Sequence, residues 1–135
     1  MRLEHHEDME VEDGKAVWLP SGTTCPYGSP QFIVDSDGKG LLGRAIRDYR
    51  YPNSQSLDCA WPSPNADRIM RRAQKASIQT LLDCIWGFTQ IKLDHDSQEF
   101  LTLVSPRGLL RPLVLYFGAK QGPSIFQALM DGTFN

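Results

Sequence analysis

The apolar positions of this 135-residue chain fall into short clusters broken by proline, glycine and charge. "QFIV" (31–34) is an apolar run, "DSDGKG" (35–40) a turn signal built on Asp37-Gly38, and "LLGRAIRDYR" (41–50) a returning segment. Asp-Gly accepts the left-handed backbone of a tight turn, so 31–50 is expected to form a β-hairpin. "YPNSQSLDCAWPSP" (51–64) holds three prolines, too many for a long regular element. Ser63-Pro64 then offers an N-cap and a first-turn proline to a helix, "PNADRIMRRAQKA" (64–76). Ile69, Met70 and Ala73 share one face of that helix, with Arg68, Arg71, Arg72 and Lys75 largely off it.

Beyond the helix, "SIQTLLDCI" (77–85) reads as a strand and "GFTQIKL" (87–93) as a second extended piece. "EFLTLVSP" (99–106) and "LLRPLVLYF" (109–117) are two more β-rich runs around the turn "SPRG". "GPSIFQALMDG" (122–132) is expected to be a short helix, Pro123 in its first turn and Gly132 just past its end. Strands mixed irregularly with two helices indicate an α+β domain.

Composition bounds this picture. With 41% hydrophobic and 22% charged residues, one small domain is expected. No run approaches the length of a membrane span. The start, "MRLEHHEDMEVEDG", has no apolar core of a signal peptide and is too acidic for a transit peptide. An intracellular protein, of cytoplasm or nucleus, is the expectation. Cys25, Cys59 and Cys84 make no C-x-x-C pair and are read as free, buried or half-buried thiols. His5, His6 and His95 lack ligand spacing and are read as solvated.

The net charge of −2 conceals an asymmetry. Residues 1–13 carry −5 and the remainder +3. Residues 1–16 are therefore expected to be a disordered acidic leader on a mildly basic body, 17–135. Such a body permits nucleic-acid contact without demonstrating it.

One carboxylate stands out. Asp83 follows Ile78, Leu81 and Leu82 and precedes Ile85, Trp86 and Phe88. It either caps a strand or stands at a strand end facing a divalent ion. Magnesium takes one or two protein carboxylates and completes its shell with water and substrate phosphates. That chemistry suits nucleotidyl transfer with two metals.

The wider pattern resembles the fingers and palm of reverse transcriptases, most closely those of gypsy-like LTR retrotransposons. Five blocks occur in the family's order: "CPYGSPQFIV" (25–34), "RAIRDYRYPN" (44–53), "WPSP" (61–64), "LLDCIWGFTQI" (81–91) and "YFGAKQGPSIFQALMD" (116–131). They resemble the family's S-P-Y-G-S-P-V, D-Y-R-A-L-N, Y-P-L-P, L-D-L-x-x-G-Y-x-Q-I and P-F-G-L-x-N-A-P-x-x-F-Q-x-L-M. The similarity runs from about Val17 to Asp131.

The resemblance implies a partial right-hand polymerase, fingers and first half of the palm, with a mixed or antiparallel sheet and flanking helices. Asp83 would be its first catalytic, metal-binding aspartate, for Mg²⁺ or Mn²⁺. Cys84, Ile85, Gly87 and Phe88 would lie at the incoming deoxynucleoside triphosphate, Phe88 in the place of the aromatic ring that excludes a 2′-hydroxyl. Arg44 would pack on the incoming base and phosphate, where a guanidinium can stack and bind bidentately. Gln121, Gly122, Pro123, Phe126 and Gln127 would support the template and nucleotide pocket. The implied partners are an RNA or DNA template-primer, the nucleotide and the remainder of the polymerase, with no membrane.

Departures accompany the match. Asp35-Ser36 replaces a basic pair, Phe100 replaces a lysine, and Gln121 replaces an asparagine of the family pattern. No Y-x-D-D occurs in the 135 residues, which end at Asn135 just after the F-Q segment. The expected activity is RNA-directed DNA polymerisation by a fragment inactive by itself. The alternative is a non-catalytic remnant that binds nucleic acid or protein, its basic surface supplied by the fingers hairpin and the Arg68/Arg71/Arg72/Lys75 helix.

Overall fold

A computed structural model of the chain describes residues 2–35 and 43–134. Its elements are helix α1 (Arg2–Glu12), strands β1 (Ala16–Trp18), β2 (Ser29–Val34) and β3 (Arg44–Arg47), helices α2 (Arg50–Gln55), α3 (Ala66–Ala73) and α4 (His95–Phe100), strands β4 (Leu103–Ser105) and β5 (Gly108–Pro112), and helix α5 (Gly122–Phe134). The strands form one mixed sheet in the order β1-β5-β4-β2-β3. β2 and β4 run parallel and the other neighbours antiparallel. The α+β class holds: a five-stranded mixed sheet with flanking helices.

The expected hairpin is present as β2 and β3, in the register Gln31↔Arg47 to Val34↔Arg44. Its Asp37-Gly38 turn lies outside the described residues. The returning strand is shorter than 41–50, because the chain turns at Tyr49 into α2. Pro52 fits the first turn of α2, where its missing N–H would have no helical partner.

The acidic start is a helix, not the disordered leader its charge suggested. The reason lies in the sheet. β2 turns Ser29 and Gln31 inward and Phe32 and Val34 outward, so the face beneath α1 is polar. Buried Glu7 accepts a 2.7 Å hydrogen bond from Gln31 Nε2. Glu10 pairs with Arg47, Asp8 with Arg107 at 2.8 Å, and Arg2 with Asp35. Charges counted as solvating are thus engaged by the sheet. The helix ends in a Schellman motif: Gly14 at φ 68° donates to Val11 O, and Lys15 N to Glu10 O.

The apolar core gathers Ala16, Tyr49, Leu101, Leu103, Leu110, Val114 and Tyr116. Tyr49 O–H donates to Leu101 O at 3.4 Å. The Arg47 guanidinium stacks 3.9 Å from the Tyr116 ring centroid. Burial raises the pKa of both tyrosines and lowers that of Arg47. The D-Y-R block is therefore structural here: Tyr49 fills the core, while Arg50 Nε clasps Asp48 at 2.8 Å. That clasp lowers the Asp48 pKa to about 2.

Several expected elements differ. "SIQTLLDCI" forms no strand; Ile78 is 87% exposed and Leu81 94%. An apolar run becomes a strand only when an edge accepts its backbone, and no described strand does so. "GFTQIKL" is a 3₁₀ turn over Gly87–Gln90 followed by a single bridge, Lys92↔Val114. Glu99 and Phe100 belong to α4, because Asp94 caps it by accepting from Asp96 N and Ser97 N, both at 3.1 Å. α3 is capped by Asn65, which accepts from Arg68 N, not by Ser63. Its Ile69 and Met70 stay exposed. Cys25 is partly buried, but Cys59 and Cys84 are exposed. α5 runs through Gly132 to Phe134.

Candidate functional site

Asp83 stands in an irregular, exposed stretch, with Cys84 and Ile85 exposed beside it. The chain then turns sharply at Trp86, whose φ of 54° is the one positive value outside glycine among the described residues. A bulky residue there is strained by the contact of its Cβ with the backbone, so its neighbours must hold it. Thr89 does so through both N–H and Oγ1, each donating to Trp86 O at 3.0 Å. Gln90 Nε2 donates to Ile85 O at 2.7 Å. Lys15 Nζ lies 5.5 Å from the Trp86 ring centroid.

This turn delivers Gly87 and Phe88 against α5. A Cβ on Gly87 would meet Phe126 Cε2 at 2.8 Å and Cζ at 2.9 Å. The Phe88 ring lies 4.6 Å from Phe117 and 5.4 Å from Phe126, centroid to centroid. Buried Gly122 completes the contact, its ideal Cβ position 3.9 Å from Phe88 Cζ. Pro123 is exposed in the first turn of α5. Edge-to-face aromatic packing of this kind fixes ring orientation as well as burying area.

The two glutamines bind the chain, not open space. Gln121 Nε2 donates to Leu57 O at 2.7 Å. Gln127 Nε2 donates to Asp131 Oδ1, and Trp61 Nε1 donates to Asp131 Oδ2, both at 2.8 Å. The "WPSP" block is thereby tied to α5. Arg44 begins β3 opposite Val34 and is exposed. No described hydrogen bond, ion pair or ring contact joins it to the Gly87–Phe88–Phe126 cluster.

The structure thus brings together Cys84, Gly87, Phe88, Gly122 and Phe126, the Cβ of Cys84 lying 3.6 Å from the ideal Cβ of Gly87. It leaves Asp83 exposed in the irregular stretch before that turn and Arg44 on the sheet. Sequence reading missed Phe117, Thr89, Trp61 and Asp131. The "YFG" and "WPSP" blocks carried a signal for Phe117 and Trp61, whereas the Thr89 bonds have no pattern to announce them.

Metal chemistry is limited by the donor set. Among the described residues no three His, Cys, Asp or Glu side chains gather to hold a cation. A single exposed carboxylate oxygen suits a hard ion that draws its other ligands from water and phosphate, not an all-protein cage. Among the described residues, no helix is long and apolar enough to cross a membrane.

No protein-family model matches the chain. It is 36% identical over 110 residues to a polyprotein of Cassava vein mosaic virus, covering 80% of this chain and 17% of that one. It is 32% identical over 129 residues to the enzymatic polyprotein of Cauliflower mosaic virus (strain Strasbourg), covering 94% and 19%. It is 29% identical over 137 residues to the retrovirus-related Pol polyprotein from transposon 297 of Drosophila melanogaster, covering 96% and 13%. The chain spans less than a fifth of the length of these relatives. Its homologues are viral and transposon polyproteins, and it corresponds to a segment of them.

Proposed function

We propose that this chain is the part of an RNA-directed DNA polymerase, fingers and first half of the palm, that carries the first metal-binding carboxylate. One observation carries the reading. Phe88 of the "LLDCIWGFTQI" block packs between Phe117 and Phe126 of the "YFGAKQGPSIFQALMD" block, with Gly87 in contact behind it. Blocks that resemblance assigns to one nucleotide pocket meet in space. Descent shared with Pol and enzymatic polyproteins supports the same reading.

In the proposed pocket Asp83 contributes one hard oxygen ligand to Mg²⁺ or Mn²⁺, which would neutralise charge developing on the transferred phosphate. Phe88, its ring fixed by two neighbours, limits the volume beside the sugar. Arg44 would pack on the incoming base and phosphate, the role the resemblance implies for it.

One carboxylate holds one ion poorly and two not at all. A polypeptide of these 135 residues is therefore expected to give no templated primer extension with Mg²⁺ or Mn²⁺, yet to bind a deoxynucleoside triphosphate with metal more tightly than the matching ribonucleotide. Quenching of Trp86 fluorescence reads that binding. Phe88→Val should erase the preference. Equal binding of both nucleotides by the unaltered chain would contradict the pocket, and Asp83-dependent primer extension would contradict the inactivity.

A further inference from the structure

Helix α3 lies outside that pocket, and nothing in the catalytic reading uses it. Arg68, Arg71, Arg72 and Lys75 stand at i, i+3, i+4 and i+7, the spacing that places side chains in one stripe of a helix. Lys75 follows in the turn that extends the helix, its N–H donating to Arg72 O at 3.2 Å. All four are exposed. Together with Asn65 and Asp67 they line one concave surface of about 510 Å³.

Two features separate this stripe from an ordinary solvated face. Elsewhere Arg47, Arg50, Arg107 and Lys120 each have a carboxylate partner. None of the four α3 cations has an ion-pair or side-chain hydrogen-bond partner among the described residues, and the one nearby carboxylate, Asp67, is not paired with them. Like charges at i, i+3 and i+4 also repel and weaken the helix they share. A bound polyanion would relieve that repulsion.

The chemistry of the surface selects the polyanion. The residues that line it are all polar or charged types, with no apolar side chain at the centre where a protein partner would want one. A helix lying on a lipid surface must bury an apolar face, and these two turns offer little besides Ile69 and Met70. A phosphodiester strand needs no apolar contact. Seven residues of helix rise about 10 Å, and a duplex strand places a phosphate every ~3.4 Å, so the stripe matches about three phosphates in line. Three of its four cations are arginines, which grip phosphate oxygens bidentately.

We infer that the Arg68/Arg71/Arg72/Lys75 face of α3 binds the phosphate backbone of a nucleic acid, without reading its sequence, at a surface separate from the Asp83 pocket. The inference stands on the stripe alone and does not require Asp83 to bind metal.

Fluorescence anisotropy with a labelled mixed-sequence RNA oligonucleotide, and with its single-stranded DNA counterpart, tests it across a salt series. Both oligonucleotides should bind, with log K falling against log salt at a slope of about −3, near 0.7 per cation for a single strand. Replacing all four cations with glutamine keeps good helix formers and should lower affinity at least tenfold and flatten the slope. The triple Arg→Lys variant should keep the slope and recover part of the affinity. Circular dichroism of each variant reports that the fold is retained. Wild-type affinity and slope in the glutamine variant would overturn the inference. So would binding to anionic phospholipid vesicles without binding to either oligonucleotide, or binding to neither.

Discussion

The backbone of Gly87 lies so close to the Phe126 ring that an added methyl carbon would stand 2.8 Å from Cε2. Four residues after Asp83, the chain is thus set against α5 at a distance only glycine permits. Gly87→Ala should push the Phe126 ring out of its edge-to-face contact with Phe88 and cost about 1–3 kcal/mol, the usual price of overpacking. Urea denaturation measures it. Phe126→Leu in the same chain should recover part of the loss, whereas additive losses would mean that the two residues do not press on one another.

The buried Glu7 gives the fold a pH dependence. Burial is the main cause raising its pKa above 4.5, so the folded state favours the neutral carboxyl. Its contribution to stability is fully present below 4.5 and is lost as pH rises through the folded value. Asp48 acts in the opposite sense: its contribution is present above 3.8 and is lost as pH falls through about 2. Glu7→Gln should therefore be at least as stable as the parent at neutral pH, with the difference closing below 4.5. Glu7→Ala should lose about 1–3 kcal/mol, because Gln31 Nε2 is left buried without an acceptor. Urea midpoints across a pH series check both; a Glu7→Gln chain weaker than the parent at neutral pH would reverse the sign.

How much of this was legible in the sequence follows from where the information sits. Local signals worked: the hairpin expected over 31–50, seen as β2 paired with β3 (Arg44–Arg47), and Pro123 in the first turn of α5, depend on neighbours in the chain. The acidic start misled because its partners Gln31, Arg47 and Arg107 lie far along the chain, and charge counting cannot see them. "SIQTLLDCI" misled for the converse reason: its β-like composition is a preference, and a strand also needs an edge to pair with. At the candidate site the motifs announced Gly87, Phe88, Gly122 and Phe126, while the strained turn at Trp86 and the bonds of Thr89 that hold it depend on backbone geometry that no residue pattern encodes.

Paramagnetic broadening tests most directly whether Asp83 is a metal ligand at a nucleotide pocket, as proposed. Mn²⁺ is added to the ¹⁵N-labelled chain in the presence of a deoxynucleoside triphosphate. Amide signals of Asp83, Cys84, Trp86, Gly87 and Phe88 should broaden first, and Asp83→Asn should remove the effect while leaving the rest of the spectrum in place. Broadening centred instead on the acidic α1 or on Asp94 and Asp96, unchanged by Asp83→Asn, would contradict the account.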